Sequence, residues 1–196
     1  MQPNLISWPV NVRVQLPPCD WCTVLHHQFV IGNARSLLAS SRPSDNVAFV
    51  MTDPFDLNRF VEAETPQVLA QVRAELRAGR KRTHWMWFVF PQLAGLGRSD
   101  TAQFYAITSL DEARAYLNHP ILGPRLIELT CLVNSIEGRS ADQIFQGDEV
   151  KFHSSMTLFS LASPAQCAIS NALNKYFAGK ADQLTIRMLG RVQAWG

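Results

Sequence analysis

The sequence predicts an all-α protein: one compact, mainly helical domain of about eight helices behind an irregular N-terminal extension. Three observations predict it. From Met51 onward, residues that favour helix starts and glycines that favour helix stops recur in order. Between them the apolar residues fall three and four apart. After residue 51 no stretch alternates apolar and polar residues as a strand does. The one clean alternation, Val10, Val12, Val14 and Leu16, comes before it.

Thr65-Pro66 reads as an N-cap followed by proline at the first helical position. Val68, Val72 and Leu76 form the stripe of that helix, and Gly79 ends it. Trp85 to Phe90 is apolar on every side and must be buried all round, either as a short helix capped by Thr83 or as an extended piece. Ser99 is an N-cap with Ala102, Phe104 and Tyr105 in the helix that follows. Ser109 and Glu112 have capping-box spacing and open a helix to about Asn118. Pro124 opens another, with Leu126, Leu129, Val133 and Ile136 on one face and Gly138 as terminator. Ser140 and Gly147 bracket a short helix, and residues 149–161 carry Phe152, Met156 and Phe159 at helical spacing. Ser163-Pro164 opens a helix with Ile169, Leu173 and Phe177, closed by Gly179. Asp182 caps a last one through Leu189.

Residues 1–50 read differently from residues 51–196. They hold Pro3, Pro9, Pro17, Pro18 and Pro43 and few charges, and "ARSLLASSRPSDN" is small and polar like a linker. The expectation is an irregular or poorly ordered extension, or upstream sequence not made in the cell, since Met51 stands where the helical punctuation begins. Cys19 and Cys22 form half of a zinc or redox motif, and no second pair completes it.

The totals narrow the function. A chain of 196 residues with 47% hydrophobic and 17% charged residues buries enough apolar surface to fold without metal or disulfide. A net charge of +2 is too small to argue for nucleic acid. No apolar run reaches membrane-spanning length, and no secretory leader is visible. Four cysteines, two of them (Cys131 and Cys167) inside apolar helical patterns, fit a reducing cytoplasm better than a disulfide scaffold. His84, His119 and His153 lack metal-ligand spacing, and neither a Walker loop nor a dinucleotide fingerprint is present, so no metal or cofactor is expected.

The informative stretch is "RKRTHWMWFVFPQLAGLGRS", residues 80–99, where Arg80, Lys81, Arg82 and His84 adjoin the apolar run Trp85–Phe90, with Gly95, Gly97 and Arg98 after it. Arg80, Lys81 and Arg82 read either as a solvated patch or as cations set beside aromatic faces, a combination that suits phosphate plus base. Trp85 and Trp87 read either as core or as pocket wall, since a large flat indole can meet a base or sugar. The turn from Gln92 through Gly95, Gly97 and Arg98 delivers the chain to Ser99. It is either a tight helix-to-helix turn or a generic anion site at a helix start. A second constellation is "DEVKFHSSMTLF". On a helix, Lys151, Ser154 or Ser155, and Leu158 share one side, while Phe152, Met156 and Phe159 share another. Hydroxyls in an apolar helix either bond back to a carbonyl one turn earlier or reach a pocket.

Together with "MTDPFDLNRFVEAE", "ARAYLNHPILGPRL", "HSSMTLFSLASP" and "LNKYFAGKADQLTIRML", that stretch resembles the bacterial and fungal domain-of-unknown-function 1810 family over about residues 52–190. The resemblance implies a mainly α-helical domain and supplies no activity. It leaves residues 1–50 without a counterpart and places His153 where family members commonly carry arginine. Some members are labelled calpastatin-like; calpastatin segments are disordered and polar, whereas this domain is apolar and well capped.

The resulting expectation is a small-molecule enzyme or ligand-binding domain for an anionic, nucleotide-like compound. Trp85 and Trp87 wall the pocket, Arg82, Arg98 and the amides of Gly95–Ser99 hold the anion, and Gln92, Lys151, Ser154 and Ser155 are further contacts. His84 is the proton-transfer group, because imidazole chemistry suits general acid–base work at neutral pH. Two other classes stay open: a protein-interaction module with an aromatic groove, and a binder of single-stranded nucleic acid, which the small net charge disfavours. The oligomeric state is not legible.

Overall fold

The structure, a computed structural model, describes residues 53–193. The expectations for residues 1–50, including the Cys19–Cys22 pair, lie outside the described residues. All of these described residues fall within one compact unit. They form ten helices, with a single parallel bridge between Leu93 and Ile107 as the lone β-type pairing among them. No helix among them is long and apolar enough to cross a membrane.

Among the described residues the first helix is α1 (Asn58–Ala63), whose first amide is held by the Asp53 carboxylate at 3.0 Å. Next, α2 (Pro66–Arg77) is capped by the Thr65 hydroxyl on the Val68 amide and buries Leu69, Val72, Glu75 and Leu76. The apolar run becomes the single turn α3 (Met86–Val89), a segment buried at Trp85, Met86, Val89 and Phe90. Trp85, not Thr83, occupies its N-cap, because the Thr83 hydroxyl is turned to Glu75. Ser99 caps α4 (Asp100–Phe104), and Ser109 caps α5 (Leu110–Asn118). The capping box expected at Ser109 forms by half. Glu112 does not reach back to Ser109; its carboxylate accepts from the Thr108 amide and hydroxyl and from Arg59. Arg59 also donates to the carbonyls of Phe104 and Ala106 and so ties α1 to the entry of α5.

The longer α6 (Leu122–Asn134) begins two residues before Pro124 and buries the stripe Leu126, Leu129 and Val133. A full capping box between Ser140 and Gln143 starts α7 (Ala141–Phe145). Then come α8 (Glu149–Ala162), α9 (Cys167–Phe177) and α10 (Gln183–Gln193). Helix α9 starts three residues after Pro164, and the Asp182 carboxylate holds the Thr185 amide at the head of α10.

The core is built round α8, which packs against α5, α7, α9 and α10. Residues Ser154 to Phe159 are buried without interruption, so α8 has no wet face over that turn and a half. A helix that is apolar on all sides belongs in the middle of a domain. Its hydroxyls are mostly accommodated locally. Ser154 donates to the Lys151 carbonyl, Ser160 donates to the Thr157 carbonyl, and Thr157 accepts from the Asp182 amide.

Candidate functional site

The site begins at the end of α2. Gly79 takes a left-handed φ of 66°, its amide donates to the Leu76 carbonyl, and the Arg80 amide donates to the Glu75 carbonyl. This pair of bonds is a Schellman stop, which a residue with a Cβ adopts only with strain. It turns the chain sharply and sends Arg80, Lys81 and Arg82 across the surface. The Lys81 amide then donates to the Ile144 carbonyl at 2.7 Å and fastens this segment to α7.

Glu75 fixes the rest of the segment from below. Only 3% exposed, its carboxylate accepts five hydrogen bonds: from the amides of Arg82 and Thr83, the Thr83 hydroxyl, the Trp85 indole N–H and the Gln71 amide group. Burial pushes its pKa up, and the donors, Gln71 first, outweigh this and bring it down to about 2. Trp85 is therefore enclosed in the core with its N–H occupied.

Two hollows meet above this scaffold. One, of about 400 Å³, is lined by Arg80, Gly138, Arg139, Gln143 and Gln146. The other, of about 530 Å³, is lined by Arg80, Lys81, Arg82 and Gln146. Their shared residues are hydrogen-bonded to each other, Arg80 Nη2 donating to Gln146 Oε1 at 3.2 Å. Left-handed turns surround both hollows: Gly79, Gly138 at φ 69° and Gln146 at φ 53°, which ends α7. Arg139 lies over Gly79, its Cδ and Nε about where they would crowd a Cβ.

No carboxylate lines either hollow. Arg80, Arg82 and Arg139 are exposed, and none of the ion pairs among the described residues takes them. Lys81 differs. It is buried, its Nζ 2.7 Å from Asp148 and 5.6 Å from the Trp85 ring centroid. Asp148 also binds Lys151 at 2.5 Å. Burial raises its pKa, and these two ammonium groups more than reverse that and hold the carboxyl below its usual range.

From Asp148 the cluster continues to residues the sequence singles out. Lys151 stands 4.9 Å from the ring centroid of half-buried Trp87, and exposed His84 lies beside Trp87 with centroids 6.5 Å apart. Gln92 donates to Ser154, 62 residues away along the chain, at 2.5 Å. The stretches 80–92 and 148–154 thus come together. Ser155 is fully buried, and its hydroxyl has no hydrogen-bond partner.

The turn at 95–99 lines neither hollow, and packing accounts for its glycines. A Cβ on Gly95 would come within 2.6 Å of Met188 Cε, and one on Gly97 within 2.4 Å of Ala102 Cβ. Ser99 spends its hydroxyl on the Ala102 amide, the Arg98 carbonyl accepts from Gln103, and the Arg98 side chain is exposed.

The sequence pattern of the family described as a protein of unknown function (DUF1810) matches residues 54–189. The chain belongs to the DUF1810 family. It is similar to the crystal structure of the conserved hypothetical protein Rv1873 from Mycobacterium tuberculosis, with 55% identity and a TM-score of 0.68. That match covers 70% of this chain and 99% of the other. No curated protein matches.

In this DUF1810 domain, the residues that sequence reasoning left out of the site are Glu75, Arg139, Gln143 and Gln146, while Arg80 and Lys81 are read there, with Arg82, either as a solvated patch or as phosphate-binding cations. Glu75 carried a signal: three residues after Val72, it falls on the buried stripe of α2, where an unpaired carboxylate is costly. Arg139 and Gln146 carried none, because their place beside Arg80 comes from how α2 and α7 end, not from any spacing in the chain.

Proposed function

We propose that this domain binds a small anionic, nucleotide-like compound, with the anion in the double hollow beside Arg80, Arg82 and Arg139. One observation carries the reading: a concave surface offers three guanidinium groups that no carboxylate neutralises. Guanidinium forks suit planar, two-point recognition of phosphate or carboxylate. Glu75, locked beneath the segment, keeps the Arg82 backbone in place without a ligand, so less ordering is needed on binding. Trp87, reached from the hollow through Lys81, Asp148 and Lys151, offers part of an indole face for a flat ring. Should the compound also be turned over, His84 beside Trp87 is the proton-transfer group. Arg98 and the Gly95–Ser99 turn stay outside the site in this reading.

Titration calorimetry at constant ionic strength tests it, with inorganic phosphate and AMP as probes. Both should bind, AMP roughly tenfold more tightly if one base stacks. The doubly substituted Arg82→Ala, Arg139→Ala protein should keep its thermal midpoint and lose both. Trp87→Ala should remove only the AMP advantage. Binding that is unchanged in the double variant, or absent from the parent protein, overturns the proposal.

A further inference from the structure

We infer that the ligand of this site carries two linked anionic groups, a diphosphate unit that straddles Arg80 with one group in each hollow. The inference rests on the anion-binding reading above and deepens it.

The two hollows adjoin and share lining residues. Both are lined by Arg80 and Gln146, whose side chains are hydrogen-bonded to each other. Each space has its own exposed guanidinium, Arg139 on one side and Arg82 on the other. Each is many times the roughly 30 Å³ that one water occupies, so either accepts a phosphoryl group with room to spare. A single phosphate can engage one outer arginine and Arg80, and it leaves the other arginine to water.

Arg80 itself is suited to bridging. A guanidinium has five N–H donors, and Gln146 takes one of Arg80's through Nη2. The remaining donors face no carboxylate and can serve oxygens of two adjacent groups at once. Lys81 is buried and its ammonium is turned to Asp148, so it is less available than the exposed arginines. The lining stops at Arg82 on one side and Arg139 on the other, which fits a short unit and supplies no basic stripe for a polymer.

The experiment compares inorganic phosphate with inorganic pyrophosphate by titration calorimetry on the full chain at constant ionic strength. Pyrophosphate should bind at least about tenfold more tightly, since linking the groups makes the second contact intramolecular. Arg80→Ala should reduce pyrophosphate to the affinity of phosphate. Arg139→Ala and Arg82→Ala should each erase the pyrophosphate advantage while phosphate binding persists through the other hollow. Arg114→Ala, on the exposed side of α5, should change nothing. All four positions are exposed, so unchanged thermal midpoints are expected to confirm folding. Equal affinities for the two anions, or an advantage that survives Arg80→Ala, overturns this inference and leaves simple anion binding standing. Failure of both anions to bind overturns both.

Discussion

Glu75 decides where the basic segment runs. Five donors converge on one nearly inaccessible carboxylate, and three of them come from Arg82 and Thr83. Glu75→Gln keeps the shape but turns one acceptor oxygen into a donor that faces other donors. It should cost about 3 kcal/mol in urea denaturation and lower the thermal midpoint by roughly 10 °C. The same residue sets an acid limit. Its pKa is near 2 folded against 4.5 unfolded, so its stabilisation is complete above pH 4.5 and fades as pH falls toward 2, about 3 kcal/mol in all. Glu75→Gln should remove that part of the acid sensitivity; an unchanged acid limb would mean that other carboxylates, such as Asp148, govern it. Ser155 presents the opposite case, a hydroxyl buried with no partner. If it serves only the fold, Ser155→Ala should raise stability by about 1 kcal/mol, because a dry unpaired hydroxyl is a net cost. A loss of stability would assign that hydroxyl a partner.

At the level of helices, the tightest constraint is where α5 meets α6. A Cβ on Gly123 would lie 1.9 Å from the Leu117 carbonyl oxygen, which is backbone and cannot swing aside. Gly123→Ala should therefore cost more than 3 kcal/mol or abolish folding, read as lost cooperative unfolding by circular dichroism. Elements of this kind also show how much the sequence discloses. The caps at Thr65, Ser99, Ser109, Ser140 and Asp182 are legible because cap chemistry is local, a side-chain oxygen and an amide two or three residues on. The role of Glu112 is not, since Arg59, its ion-pair partner, is 53 residues away. The closeness of 80–92 to 148–154 is half legible: the apolar residues from Trp85 to Phe90 and Phe152 ask for burial, yet nothing in either stretch names the other. The hollow is the least legible part. It depends on Gln146 adopting a left-handed conformation usually left to glycine, and on Arg139 reaching across Gly79.

The whole domain should respond to pH in a way that ordinary surface carboxylates do not produce. Glu64, at the junction of α1 with α5 and α6, is 2% exposed. Burial is the dominant influence on it and raises its pKa to about 7; the contact with Arg125, at 3.1 Å, offsets this only in part, as do the hydrogen bond with Tyr116 and the more distant charge of Arg73. Unfolded, the same carboxyl titrates near 4.5. Between those two values the folded protein holds a proton that the unfolded chain has released, so unfolding stability falls as pH rises. The benefit is complete below pH 4.5 and gone once pH has passed through 7, a span of about 3 kcal/mol. Below pH 4.5 the depressed carboxyls of Glu75 and Asp148 act in the other direction. Stability should therefore peak on the acid side of neutrality, near pH 4.5 to 5. Urea midpoints taken from pH 3 to 8 should trace that peak, and Glu64→Gln, which stays neutral throughout, should flatten the limb between pH 4.5 and 7 while leaving the acid limb intact. A limb that keeps its slope in Glu64→Gln would show that Glu64 is not the titrating group. A flat profile in the parent protein would mean that Arg125 neutralises Glu64 in full.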